Sequence, residues 1–282
     1  MKKVIAMLLA ATLCFGTLTA CGGQKAAGGT EVNGGAGSTK DATDNTGSAD
    51  KAAAVETIKD GVLIIGTNAA FPPFEYIGDD GEPDGFDIAL ANAIAEKLGL
   101  TVEVQDMEFG SLVAAIGSKI DVAIAGMTIT DDRLEKVDFS DSYYDAVQFV
   151  IALPGSEPKT AADLENKKIG AQLGTTGATI AEEEIKGAEA ATYDKAVDAV
   201  NDLINGRVDL VIIDQNPAKV FEEKFAGKIV AIDGATFGFE NEKYAIALPK
   251  DSPMVAEVNK ALAELKADGT FDALVKEYIV AE

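Results

Sequence analysis

Two oppositely charged side chains, Arg133 and Asp214, each follow a short apolar run in the sequence. Arg133 closes the segment Gly126–Arg133, in which Thr130 is suited to cap a short helix with two aspartates in its first turn. Its planar guanidinium would grip a carboxylate through paired hydrogen bonds, and the Asp214 carboxylate would meet an ammonium group. Two plainer interpretations stay open. Arg133 would then belong to a solvated, mixed-charge helix, and Asp214 would cap the helix that follows it.

Two more segments carry groups of the same kind. The turn Gly174–Gly177 would present backbone N–H groups to an anion, and its spacing matches neither a P-loop nor a dinucleotide fingerprint. Phe71 would form an apolar wall over a ligand, and Asn68 would reach the polar tip of that ligand. An ordinary turn and a loop whose aromatic rings pack on the domain are the alternatives. Together the four features supply the complement of a zwitterionic α-amino acid.

These candidates lie where predicted strands end, and ligands of open α/β sheets bind beyond the carboxyl ends of the strands. The predicted strands are Val62–Gly66, Thr101–Gln105, Ile120–Ala125, Lys168–Gln172 and Val208–Ile213. The predicted helices are Phe86–Leu98, Phe109–Ile116, one that starts near Thr175, and Asp194–Ile204. This alternation predicts mostly parallel sheets covered by helices. The pattern restarts after Pro154, and Ile120–Gly126 resembles Val208–Asp214, so we expect two lobes.

The N-terminus indicates export. Lys2 and Lys3 precede the apolar run Val4–Thr19, which is too short to span a bilayer comfortably. The run ends in Leu-Thr-Ala-Cys-Gly, which resembles a bacterial lipobox, so we expect residues 1–20 to be a signal peptide and Cys21 to be lipidated. A plain signal peptide is the alternative. Residues 21–55 are rich in small and polar residues and predict a flexible tether that reaches roughly 30 Å.

Composition excludes several functions. The formal net charge of -23 repels nucleic acid and anionic lipid surfaces, so we expect no nucleic-acid partner. The chain contains no histidine, which excludes Ser-His-Asp and Cys-His catalytic sites and histidine-based zinc sites. We therefore expect no catalytic residue, no cofactor and no metal. After removal of the signal peptide only Cys21 remains, so no disulfide forms within the chain.

A series of motifs in order resembles the polar amino acid solute-binding proteins of ABC importers, bacterial solute-binding protein family 3. The motifs are Gly66–Glu75, Gly85–Ile88, Asp121–Arg133, Asp138–Tyr144, the Gly-Thr-Thr turn, Asp214 and Lys266–Thr270. The resemblance covers essentially the whole folded part. It implies an α/β, type II periplasmic-binding-protein fold with two lobes joined by a two-strand hinge. Lobe 1 would comprise residues 56–145 and 244–282, and lobe 2 residues 146–243, with hinge strands near Ala146–Leu153 and Lys243–Leu248.

The resemblance also implies a set of ligand-binding residues. Arg133 would bind the ligand carboxylate with help from Thr128 and Thr176, and Asp214 would bind the α-ammonium. The remaining members flank the ligand, lie beside its ammonium or read its side chain: Asn68, Phe71, Phe109, Ala125, Gly126 and Gln172. Relatives that bind cationic side chains often carry an acid where this chain has Asn68. Glu75 would be another source of negative charge, so a glutamine-like and a basic ligand both stay open.

The resemblance further implies what the protein does with its ligand. Closure of the lobes on a polar amino acid would produce the form that docks on an ABC permease and its ATPase. The protein would act as a monomer, outside the cytoplasm, and the lipid on Cys21 would anchor it to the membrane at the cell surface or in the periplasm. The alternatives are a cleft enzyme of the cyclohexadienyl dehydratase kind, with Glu75 as acid or base, and a sensor module.

Overall fold

Fourteen short strands and eight α-helices alternate along residues 55–279, the part of the chain that the computed structural model describes. The strands are β1 (Val62–Thr67), β2 (Ala70–Phe71), β3 (Glu75–Ile77), β4 (Pro83–Asp84), β5 (Thr101–Asp106), β6 (Val122–Ala123), β7 (Val137–Phe139), β8 (Tyr144–Ala152), β9 (Lys168–Gln172), β10 (Glu189–Tyr193), β11 (Leu210–Asp214), β12 (Val230–Asp233), β13 (Asn241–Tyr244) and β14 (Ala247–Pro249). The helices are α1 (Phe86–Leu98), α2 (Leu112–Ala115), α3 (Asp131–Leu134), α4 (Thr176–Thr179), α5 (Ala196–Ile204), α6 (Gln215–Lys224), α7 (Met254–Asp268) and α8 (Thr270–Leu274).

The first large sheet has the strand order β5-β1-β6-β14-β7. β1 runs parallel to β5 and β6, whereas β14 runs antiparallel to β6 and β7. Along β1, Leu63 and Ile65 face one apolar cluster and Ile64 faces another, which explains the continuous apolar run of this strand. Both faces of the sheet are covered, so a ligand would reach it at the carboxyl ends of β1 and β6.

The second large sheet has the order β10-β9-β11-β8-β12, and β13 also pairs with β8. β9 runs parallel to β10 and β11, whereas β8 runs antiparallel to β11, β12 and β13. Residues of β11 again alternate between two clusters, with Val211 and Ile213 facing one and Ile212 the other. The two sheets confirm the predicted α/β architecture with two lobes, and antiparallel strands complete each of them.

Local sequence explains the buried face of the helix α1 and its C-terminal end. Its inward residues Ile88, Leu90, Ala91 and Ile94 are buried at the predicted helical spacing. Gly99 ends it with a φ of 72°, a left-handed conformation that suits glycine, and its N–H donates back to the last turn. The predicted bounds Phe86–Leu98 are confirmed.

Two other predicted elements are shorter than expected. The predicted helix Phe109–Ile116 is a 3-10 turn followed by α2. The helix α2 ends before Ile116, because Ile116 is extended and forms a bridge with Ile120. The predicted strand Ile120–Ala125 is only β6. It ends early because Gly126 turns the chain with a φ of 53° and donates its N–H to the Asp87 side chain at 2.7 Å.

The chain crosses between the two sheets at β8 and β13, which pair from Tyr144 opposite Tyr244 to Val147 opposite Asn241. The predicted hinge strand Lys243–Leu248 is divided between β13 and β14. Ala245 and Ile246 separate them, because their amides donate to the Met127 carbonyl and the Ser140 hydroxyl instead of a strand partner. The lobe boundaries drawn from the sequence stay a prediction.

The predicted signal peptide, the lipidation of Cys21 and nearly all of the predicted tether lie outside the described residues. Within residues 55–279 no helix is both long enough and apolar enough to cross a membrane.

Candidate functional site

A small cavity lies between the strand ends of the two sheets. It is lined by Asn68, Phe71, Glu75, Phe109, Ala125, Gly126, Thr128, Arg133, Gln172, Thr175, Thr176 and Asp214. The structure thus brings all ten predicted ligand-binding residues to one cavity, and it adds Glu75 and Thr175.

Arg133 reaches the cavity from α3, whose N-terminus is capped as expected by the Thr130 hydroxyl, which accepts the Arg133 N–H at 3.3 Å. Its guanidinium donates to the backbone carbonyls of Thr128 and, at 3.0 Å, Gly174. The guanidinium also lies over the Phe109 ring, 5.3 Å from the centroid. Burial lowers the pKa of Arg133, and the nearby acids oppose that shift, so the cation stays charged. The solvated-helix interpretation of Arg133 is wrong.

Asp214 ends β11 with only 7% of its surface exposed. It occupies the position before α6 but makes no side-chain capping bond, and it accepts a hydrogen bond from the Tyr244 hydroxyl instead. The capping interpretation of Asp214 is therefore wrong. Burial first, and then the charge of Glu242, raise the pKa of Asp214 to about 7. A cation bound beside Asp214 would relieve that desolvated charge.

Asn68 and Gln172 meet each other across the cavity. The Gln172 amide donates to the Asn68 side-chain oxygen at 2.9 Å and to the Asp194 carbonyl at 2.9 Å. The Asn68 amide donates to the Met107 carbonyl at 2.8 Å. Both predicted side-chain-reading residues therefore have partners within the protein.

Glu75 lies at the inner end of the cavity and is completely buried, as is its neighbour Asp87. Among the described residues neither Glu75 oxygen meets a donor, and Asp87 Oδ1 is also without one. The other Asp87 oxygen accepts from the Gly126 N–H at 2.7 Å and the Tyr143 hydroxyl at 2.8 Å.

Burial, and then the charge of Asp87, raise the pKa of Glu75 well above its usual value. Burial also raises the pKa of Asp87 to about 6, although the bonds from Gly126 and Tyr143 oppose the shift. The raised pKa values allow a proton to be shared between the Glu75 and Asp87 carboxyls. The pair is therefore a desolvated acidic group that faces the cavity and lacks a cationic partner.

Sequence reasoning missed a second acid, Glu242 of β13. One of its oxygens accepts hydrogen bonds from the Thr128 hydroxyl at 2.6 Å, the Thr176 hydroxyl at 3.0 Å and the Gln148 amide at 3.3 Å. Glu242 stands in a short strand of polar residues, and no motif around it indicated a role. Within residues 55–279 no group of three or more acids or cysteines is arranged to hold a metal ion.

The chain is similar to known binding proteins over its whole folded part. It is 34% identical to the arginine-binding extracellular protein ArtP of Bacillus subtilis (strain 168), over 100% of both chains. An ancestral arginine-binding protein solved with arginine covers 78% of this chain and 99% of its own, at 38% identity and a TM-score of 0.72. An ancestral arginine-binding protein solved with glutamine is 39% identical, with a TM-score of 0.73, and covers 78% of this chain and 99% of its own.

These relatives carry the names of binding proteins, so the cleft-enzyme alternative is not supported and the protein is a binding protein rather than an enzyme. Their fold is the type II periplasmic-binding-protein fold that the motifs implied. The sequence model of the bacterial extracellular solute-binding proteins, family 3, matches residues 63–281. With the fold, the interlobe cavity and this match in agreement, the chain belongs to family 3 of the bacterial extracellular solute-binding proteins.

Proposed function

We propose that this protein captures a cationic α-amino acid of the arginine type in its interlobe cavity and delivers it to an ABC importer. The observation that carries the proposal is Glu75, a completely buried acid that lines the cavity and lacks a donor for either oxygen. Burial and the charge of Asp87 oppose ionisation of Glu75, and a guest that brings a cation to Glu75 would offset that cost. The arginine-binding names of the relatives support the same choice.

Each end of such a ligand has a matching group. Arg133 grips the α-carboxylate, and Asp214 pairs with the α-ammonium. The side chain passes between Phe71 and Phe109, and its cationic end meets Glu75, with Asp87 behind it. The acids of the site also favour a cation, since Glu75, Asp87 and Asp214 all have raised pKa values and a bound cation would stabilise their charged forms.

A neutral, glutamine-like ligand is the second candidate, and one observation favours it. The Asn68 and Gln172 side chains lie together at 2.9 Å, and such an amide pair would read the amide of a glutamine side chain. Ancestral arginine-binding proteins solved with arginine and with glutamine support keeping this candidate. A glutamine-like ligand leaves Glu75 without a cationic partner, which is why we place it second.

Delivery follows from closure of the lobes. Arg133 belongs to the lobe of residues 56–145 and 244–282, and Asp214 to the lobe of residues 146–243, so a ligand that contacts both stabilises the closed form. The closed form is the one that docks on the permease of the importer. The protein acts as a monomer outside the cytoplasm, at the cell surface or in the periplasm, and the lipid on Cys21 holds it at the membrane.

A thermal-shift screen of the twenty amino acids, followed by calorimetry, tests the ligand. We expect arginine to raise the melting temperature most, with lysine next. The largest shift with glutamine would favour the second candidate, and no shift with any amino acid would overturn amino-acid capture.

The anchor is tested by Cys21→Ser in the full chain expressed in a bacterial host. We expect the wild-type protein in the membrane fraction with the added mass of a lipid and the variant in the soluble fraction. Equal membrane association of the two would refute lipid anchoring.

A further inference from the structure

Glu242 lies outside the cavity and accepts hydrogen bonds from residues on both sides of it. Its carboxylate accepts the Thr128 hydroxyl at 2.6 Å, from the segment between β6 and α3, and the Thr176 hydroxyl at 3.0 Å, from the start of α4. The Gln148 amide of β8 donates to the same oxygen at 3.3 Å. Glu242 does not line the cavity but borders a groove on its outer side, which Thr128 and Thr176 share.

Thr128 and Thr176 line the cavity from within. The hydroxyl is the only hydrogen-bond donor of each side chain. A threonine hydroxyl has one hydrogen, so a hydroxyl that donates to Glu242 cannot donate at the same time to a guest. Both residues were assigned to the ligand carboxylate by the motif resemblance. Two of the donors that such a carboxylate needs are thus already bound to a carboxylate of the protein.

The negative charge of Glu242 also opposes the binding of a ligand carboxylate. The Glu242 carboxylate lies close enough to raise the pKa of Asp214 and to oppose the lowering of the pKa of Arg133. A ligand carboxylate held by Arg133 and the two threonines would lie beside Glu242, and two carboxylates at close range repel each other. Only a ligand with a charged carboxylate experiences this repulsion.

We propose that Glu242 is a specificity-determining residue, a resident carboxylate that competes with the ligand α-carboxylate for the hydroxyls of Thr128 and Thr176. This inference rests on the proposed capture of an α-amino acid. It predicts that Glu242 lowers the affinity for an amino acid more than the affinity for the same molecule with a neutral α-carboxamide.

The test is calorimetry of the full chain with L-arginine and L-argininamide, at a pH where both α-amines are charged. Wild type is compared with Glu242→Ala and Glu242→Gln, and Glu240→Ala is the matched control, because Glu240 is an exposed acid two residues earlier. We expect the ratio of the argininamide Kd to the arginine Kd to rise about tenfold in Glu242→Ala and to rise also in Glu242→Gln. The control should leave the ratio at the wild-type value.

The ratio separates competition from other effects. A change in folding or in lobe closure alters both dissociation constants alike, so it cancels in their ratio. An unchanged ratio in both Glu242 variants would overturn the inference while leaving the capture of arginine intact, and an equal rise in Glu240→Ala would overturn it in favour of a general charge effect. If another amino acid gives the larger thermal shift, that amino acid and its α-carboxamide serve as the pair. Failure of every amino acid to bind the wild-type protein would overturn the proposed function and this inference with it.

Discussion

Glu75→Gln tests the acidic end of the cavity with the smallest change of shape. The substitution keeps the size of a side chain that is completely buried and replaces an ionisable carboxyl by a neutral amide. If Glu75 pairs with a cationic ligand, the variant should lose affinity for arginine and keep its affinity for a neutral amino acid. Glu82→Gln is the matched control, because Glu82 is an exposed acid of the same hairpin region.

The magnitude follows from the surroundings of Glu75. Opposite unit charges about 4 Å apart attract by about 4 kcal/mol at the effective dielectric constant of protein sites. Part of that gain is offset, because Glu75 has a raised pKa and must release the proton it shares with Asp87 before it pairs. We therefore expect Glu75→Gln to weaken arginine binding by about 2–3 kcal/mol, roughly 30-fold to 150-fold in Kd.

The pH dependence adds an independent check. Since the raised pKa of Glu75 means that ligand pairing expels a proton, wild-type affinity for arginine should fall as the pH is lowered, and Glu75→Gln should weaken that dependence. Calorimetry in buffers of different ionisation enthalpy counts the protons released. Unchanged arginine affinity in Glu75→Gln, with equal proton release in both proteins, would refute the reasoning.

The remaining predictions concern the rest of the cavity. Arg133→Ala and Asp214→Ala should each cost several kcal/mol of affinity by calorimetry with little loss of fold by circular dichroism; normal binding by either would contradict its assignment. Because burial raises the pKa of Asp214 from 3.8 to about 7, the folded protein holds that proton more tightly than the unfolded chain. Its contribution to stability should be present below about pH 4 and lost as the pH rises to about 7, so urea unfolding of Asp214→Asn should show a flatter pH slope; equal slopes would oppose this. Gly126→Ala should lower stability by about 1–2 kcal/mol, since φ is 53° and the new Cβ would lie 2.9 Å from the Phe71 ring; an unchanged melting temperature would contradict it.

The sequence predicted those parts of the structure that depend on neighbours along the chain. The apolar spacing of α1 sets its buried face and the glycine at residue 99 ends it, and the predicted bounds of that helix were confirmed. Thr130 caps α3 as its position before two aspartates indicated. The ten predicted site residues could be named because the motif series resembles a family whose fold is known, and in the structure they lie around one cavity.

Contacts between distant segments were beyond the sequence. The short β6 depends on the Asp87 carboxylate, which accepts the Gly126 N–H and lies 39 residues before Gly126. Glu242 meets Thr128 across 114 residues, and nothing near it in the sequence indicates that contact. Glu75 was recognised as a source of charge, but only the packing reveals that its oxygens lack donors.

The position of β14 in the first sheet has a consequence for how the chain matures. β7 is joined to its sheet only through β14, which lies more than a hundred residues later at Ala247–Pro249, whereas every strand of the second sheet falls between Tyr144 and Tyr244. During synthesis the second sheet therefore has all its strands before the first sheet can be completed. Pairing of β8 with β13 places Tyr144 opposite Tyr244, so the second sheet itself brings β14 close to β7 and leaves only a short loop to close. Until that part of the chain arrives, β6 and β7 keep open edges. A chain truncated before residue 247 would keep the second sheet complete and expose the unfinished first one to misassembly.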